Sequence, residues 1–265
     1  MGQLLFAFIA CKHMRVPTLE EGLVFEKNHC YTLSGRFSKT GLIMSEENSR
    51  LFRMKGLKWV VSRDRKHCLI RYFLRHPFRY AFSYLRSLCS PAPFFQDDDF
   101  FYYGVNSLEK FTQILSDPKT ILALGVSYCQ KPRSCPSLRF SESCDSNHPE
   151  CGECSIGRMK KMANDRTAFF IISTINSVGT TMFRLIDQFP DKNIVFCITA
   201  CDMSLRMFSD LGNMIALKGI GLRLGGQVCP NMKAFMAAED GHKRGVTRLD
   251  PHVEAKLFDL LAVLQ

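Results

Sequence analysis

The stretch that decides the fold runs from residue 168 to residue 224 and reads AFFIISTINSVGTTMFRLIDQFPDKNIVFCITACDMSLRMFSDLGNMIALKGIGLRL. Three short apolar runs, at 168–174, 193–199 and 220–224, alternate with amphipathic segments at 180–188 and 203–216. Continuous apolar runs of this length fit strands buried on both faces, and the segments between them fit the helices that cover those faces. The stretch predicts an α/β fold: a mostly parallel sheet with helices on both faces. Working outward, 120–127 (TILALGVS) is a further buried strand, 106–115 and 155–162 are short helices, and 251–264 is a closing helix. A cysteine-rich loop, 128–154, separates the strand at 120–127 from the helix at 155–162.

Upstream the character changes. Pro91, Pro93 and the acids at 97–99 form a linker-like stretch. It predicts two parts: a basic, mainly helical N-terminal region over 1–95 and a cysteine-rich α/β domain over 96–265. The chain has 265 residues and a net charge of +10. Residues 50–86 hold eleven Lys or Arg against a single acid, Asp64, so that segment accounts for the whole net charge. Interleaved with these cations are Trp59, Tyr72, Phe73, Phe78, Tyr80, Phe82 and Tyr84. Three readings fit: a helical layer whose Arg stems cover apolar surface, a membrane-surface segment, or a nucleic-acid contact. Any anionic partner, membrane surface or nucleic acid, is expected at 50–86. No apolar run reaches the roughly 18–20 residues of a membrane-spanning helix, and no secretory leader pattern is evident. The expected location is cytoplasmic, with peripheral membrane attachment as an option.

In a cytosolic chain, twelve cysteines point to buried apolar groups, reactive thiols or metal ligands rather than a disulfide framework. Cys11, Cys30, Cys68 and Cys89 are scattered and read as structural, and Cys197 sits inside an apolar run and reads as core. The remaining pattern is Cys129-x5-Cys135-x8-Cys144-x6-Cys151-x2-Cys154, with His148 shortly before the last pair. A Cys-x2-Cys pair lets two sulfurs face one ion, as in tetrahedral zinc sites and iron–sulfur sites. Cys154 precedes a predicted helix whose N-terminal dipole favours the thiolate. Cys201 and Cys229 follow later strands, and Cys129 follows the strand at 120–127. The carboxyl ends of parallel strands share one edge, where ligands bind. Cys129, Cys201, Cys229 and the loop bearing Cys151 and Cys154 are therefore expected to converge there. The ligand set is Cys129, Cys135, Cys144, Cys151 and Cys154, supported by Cys201 and Cys229, with His148 as a possible further ligand. The implied cofactor is an iron–sulfur cluster or zinc.

These residues resemble an uncharacterised bacterial and archaeal family, number 116 among the catalogued domains of unknown function. The matching elements are Tyr128-Cys129, Cys135-Pro136, Cys151-Gly-x-Cys154-Ser-Ile-Gly157, Ala200-Cys201 and Gly226-x2-Cys229-Pro-Asn231. The resemblance covers about 120–235 and implies a cysteine-rich α/β domain with a metal or iron–sulfur centre and no settled activity. One departure is His148, which stands where the family often carries a cysteine.

Other chemistry is weaker. Ser177, Gly179 and Thr180 lie where a strand meets a helix, and their hydroxyls and free amides form a possible anion site, as do Gly225 and Gly226. The P-loop and dinucleotide glycine spacings are absent, and so is Gly-x-Ser-x-Gly. The function expected is metal or iron–sulfur binding, with redox or small-substrate chemistry at a cysteine-lined sheet edge. The alternative is a structural zinc module that uses its basic segment for binding.

Overall fold

Residues 120–127 alternate between two apolar environments, and this period of two sets the layers. Ile121 and Ala123 face one hydrophobic cluster, while Leu122, Leu124 and Val126 face the other. In the computed structural model, which describes residues 62–64, 67–75, 77–78, 81–82, 94–215 and 217–265, this segment is a central strand. The chain divides into Met1–Arg50 and Leu51–Gln265, and the description that follows concerns the second unit. Expectations for 1–61, and for most of the basic segment 50–86, fall outside the described residues.

The elements in order are α1 (Cys68–Arg75), β1 (Phe94–Asp97), β2 (Phe100–Tyr103), α2 (Leu108–Leu115), β3 (Thr120–Ser127), α3 (Ser155–Met162), β4 (Thr167–Ile172), α4 (Ile175–Gln188), β5 (Asn193–Ala200), α5 (Asp202–Ile215), β6 (Lys218–Gly226), α6 (Met232–Glu239), β7 (Thr247–Leu249) and α7 (Pro251–Ala262). The sheet runs β1-β2-β6-β5-β3-β4, with β7 paired to β6. Pairs β4·β3, β3·β5 and β5·β6 are parallel, whereas β1·β2, β2·β6 and β6·β7 are antiparallel. The sheet is thus α/β and mostly parallel at its centre, with antiparallel additions. Phe111, Ile156, Met159, Leu257 and Leu261 bring α2, α3 and α7 onto one face. Leu69, Met182, Phe183, Leu205 and Phe208 bring α1, α4 and α5 onto the other.

The stretch around 97–99, expected as a linker, is the turn of the β1–β2 hairpin. Asp98 adopts φ 50, Asp99 pairs with Arg223, and Phe100, Phe101, Tyr102 and Tyr103 are all buried. Their side chains alternate between the two faces like those of any inner strand. α1, placed by the sequence in the N-terminal region, packs on α4 through Tyr72 stacked on Phe183 at 5.4 Å. Asp64, the lone acid of the basic segment, caps α1. Its carboxylate accepts from the amides of Cys68 at 2.9 Å and Leu69 at 2.8 Å, groups that would otherwise lack partners. α4 begins five residues earlier than expected (175 rather than 180) because Thr174 and Ser177 form a reciprocal capping box.

No helix among the described residues is long and apolar enough to cross a membrane.

The inner strands sit close to their cover because of two glycines in β6. A Cβ at Gly219 would lie 2.3 Å from the Phe196 carbonyl oxygen on β5, and one at Gly221 would lie 2.5 Å from a Leu205 methyl. Gly219→Ala is expected to lower stability by about 1–3 kcal/mol, as overpacking does. The midpoint of urea unfolding checks this, and an unchanged midpoint would mean that the β5–β6 spacing is free to relax.

Candidate metal-thiolate pockets

The order of connections fixes where chemistry can sit. From β3 the chain passes through α3 to β4 on one side, then returns through α4 to β5 on the other side of β3. The crevice beyond the carboxyl ends of β3 and β5 is thus a topological switch point, the usual place for a ligand in such sheets. The structure sorts the seven ligand candidates into two pockets near this edge rather than one.

The first pocket lies in the 128–154 loop. Cys135, Cys144, Cys151 and Cys154 line a cavity of about 20 Å³, together with Lys131 and Glu150. Cys151 closes a one-turn 3₁₀ helix, Pro149–Cys151, and Cys154 is the N-cap of α3, with no capping bond from its sulfur. Gly157 is what lets α3 press against this turn, since a Cβ there would stand 2.3 Å from the Cys151 carbonyl oxygen. Lys131 is buried (1% exposed). Its ammonium donates to the carbonyls of Leu138 at 3.2 Å, Ser141 at 2.7 Å and Ser143 at 2.6 Å, and so ties the irregular loop to one point. Burial pulls the Lys131 ammonium below its ordinary range, while the four thiols push it back up. Burial raises the Cys144 thiol, opposed by Lys160 and Lys131. The Cys151 thiol is raised by burial and then by Cys154 and Cys135. Lys160 also donates to the Cys144 carbonyl. His148 is engaged locally instead. Its Nδ1 accepts from the Glu150 amide at 3.3 Å, and it does not line the pocket.

The second pocket is at the switch point. Cys129, Cys201 and Cys229 line a cavity of about 60 Å³ whose other walls include Ile175, Phe235, Glu239 and Thr247. Cys129 sits in the one-turn helix Tyr128–Gln130 just after β3. Burial raises its thiol, Ser127 and Lys243 oppose this, and Cys201 and Cys229 add to it. The Cys201 sulfur is 3.3 Å from the Ser204 hydroxyl, and Lys243 donates to the Cys229 sulfur at 3.3 Å. α6 forms the roof, tied down by the Tyr128 hydroxyl donating to the Ala238 carbonyl. The Thr247 hydroxyl is buried, with 2% of the residue exposed, and its oxygen has no hydrogen-bond partner. Cys197 is fully buried within β5, and desolvation pushes its thiol far up, as suits a core residue.

Of the residues singled out for anions, Thr180 is half-buried within α4, and its neighbours are already committed. Ser177 closes the capping box, Gly179 is buried within α4, and the Ile175 amide donates to Glu239 at 2.9 Å. Gly225 and Gly226 pair with Arg248 and Thr247 of β7, so their role is to bring Thr247 to the cavity. The sequence reading missed Lys131, Lys243, Glu239 and Thr247; an isolated Lys, Glu or Thr in a loop or short helix carries no signal of its own.

By donor identity both pockets suit a thiophilic ion. Among the described residues, however, no three His, Cys, Asp or Glu side chains stand grouped at the spacing of a metal site. A shared ion at either pocket would require the thiols to come closer together than they stand. Comparison with protein-family profiles, curated proteins and solved structures finds no match for this chain.

Burial pushes the Glu239 carboxyl up to about 7, against the opposing hydrogen bond from Ile175. The folded chain then holds a proton that the unfolded chain releases near 4.5, so stability falls as pH rises through that window. Glu239→Gln is expected to flatten this decline by on the order of 2–3 kcal/mol. Urea unfolding at the two ends of the window measures it, and an unchanged slope would show that Glu239 ionises in the folded chain as it does in the unfolded one.

Proposed function

We propose that the chain is a metal-thiolate protein whose loop pocket holds an ion through Cys135, Cys144, Cys151 and Cys154. The observation behind this reading is the assembly of four cysteines from an irregular loop around one small cavity that also receives a buried ammonium. Charge supports it. Four thiolates on a doubly charged ion leave a formal −2, and Lys131 and Lys160 are the two cations beside the thiols. A cavity of about 20 Å³ favours a single ion of zinc type over an iron–sulfur cluster. When bound, such an ion supplies a cross-link that stabilises the loop rather than an open reaction site. The chain's own residues do the rest: Lys131 gathers the loop carbonyls, Gly157 admits Cys151 against α3, and Cys154 presents a sulfur that no capping bond occupies. Cys135, Cys151 and Cys154 are among the residues that carry the resemblance to the uncharacterised cysteine-rich family.

The loop's fold and its metal content should then fall together. Cys154→Ser is expected to lose one ion per chain and to lower the unfolding temperature. Gly157→Ala, which keeps every sulfur but displaces Cys151, is expected to weaken metal retention against a chelator by about tenfold or more, as disturbing the support of one ligand does. Elemental analysis of the purified proteins decides it. Full metal content in the Cys154→Ser protein would overturn the reading.

A further inference from the structure

We infer that the outer side of α1, with the helical residues just after it, is a docking surface for an anionic lipid bilayer. Two observations carry this, one apolar and one electrostatic. Leu74, Phe78 and Phe82 are 71%, 80% and 55% exposed. All three are helical, and they recur every fourth residue, the interval at which helical side chains neighbour one another. Nowhere else among the described residues do three large apolar side chains stand exposed within nine residues. Single exposed apolar side chains are ordinary, whereas a group on the order of a few hundred Å² marks an interaction surface. These residues are not the core-facing side of α1. That side is supplied by Leu69, which is buried, and by Tyr72, which stacks on Phe183.

The charge around this group is of one sign. Residues 50–86 carry eleven Lys or Arg and one acid. That acid, Asp64, is buried, with its carboxylate turned to the amides that open α1. No exposed carboxylate of the segment itself is left to repel an anionic surface. Arg63 pairs with Asp240 and Arg75 with Asp187, and Arg75 stays largely exposed within its pair. Arg71 is exposed and has no ion pair among the described residues.

This combination selects lipid among the anionic partners. Cations draw the chain to anionic head groups, apolar side chains then enter the interface, and stable attachment takes both. Nucleic acid would use the same cations on its phosphates and aromatic faces on its bases. It gains nothing from an exposed leucine, and the Tyr72 ring is already taken by Phe183. Since no helix among the described residues can cross a bilayer, the contact of this segment is with the bilayer surface. The inference does not rest on the metal reading.

Co-sedimentation of the full-length chain with lipid vesicles tests it. The chain should pellet with vesicles of phosphatidylserine and phosphatidylcholine in equal parts, and stay in solution with phosphatidylcholine alone. Raising the salt from about 0.1 M to about 1 M should weaken binding, because the reach of the charges shrinks from about 10 Å to about 3 Å. Replacing Leu74→Ser and Phe78→Ser together should weaken binding about tenfold or more, as losing two apolar side chains from the interface does. Unchanged binding of this double variant, or equal binding to both kinds of vesicle, would overturn the inference. Retention of a single-stranded oligonucleotide with no binding to vesicles would overturn it too. Should the double variant fail to fold by circular dichroism, Phe82→Ser decides by the same measurement.

Discussion

The hydrogen bonding of β3 on both of its edges is the constraint on which the rest depends. All eight of its residues are buried, and it pairs in parallel with β4 on one side and β5 on the other. A strand so placed must send the chain out in one direction and receive it back in the other, which opens a crevice at its carboxyl end. The 128–154 loop starts at that end, α4 begins beside it, and the residues after β5 and β6 flank it. Sheet order places Cys129, Cys201 and Cys229, while Lys131 and Gly157 place the cysteines of the loop.

What the sheet brings together, charge then sorts. Thiols in partly buried surroundings resist ionisation, as the raised Cys129, Cys144 and Cys151 show. A thiolate there needs a cation, and the structure supplies ammonium groups at both pockets: Lys131 and Lys160 at the loop, Lys243 at the sheet edge. Burying Lys131 without such neighbours would be costly. Held by three carbonyls and facing four thiols, it organises the loop and offsets the negative charge that metal binding would create. On the proposed reading, binding would displace thiol protons, so metal uptake at the loop pocket would weaken as pH falls.

Much of this was legible in the residues. The strand at 120–127 and the helix at 155–162 fall where the apolar pattern puts them, because buried parallel strands and amphipathic helices leave strong local signals. The β1–β2 hairpin did not show, since Pro91, Pro93 and the acids at 97–99 resemble a linker until Phe100–Tyr103 is seen paired with β6. β7 is too short to register, and α6, as long as α3, was missed because its apolar stripe is weaker. The cysteine spacing picked out residues that line the two pockets and placed them at one sheet edge, with the number of sites left open. Spacing along the chain does not reveal that the loop folds back on Lys131 and keeps its four thiols apart from the three at the strand ends. The loop's path is tied to one buried lysine, Lys131, whose type is ordinarily exposed.

The central claim, that these thiols bind metal, is tested most directly by X-ray absorption at the edge of whichever metal co-purifies with the full-length chain. The account predicts a shell dominated by sulfur at about 2.3 Å, with about four sulfurs per metal. A shell of nitrogen and oxygen alone, or a fully folded protein that retains no metal, would contradict it.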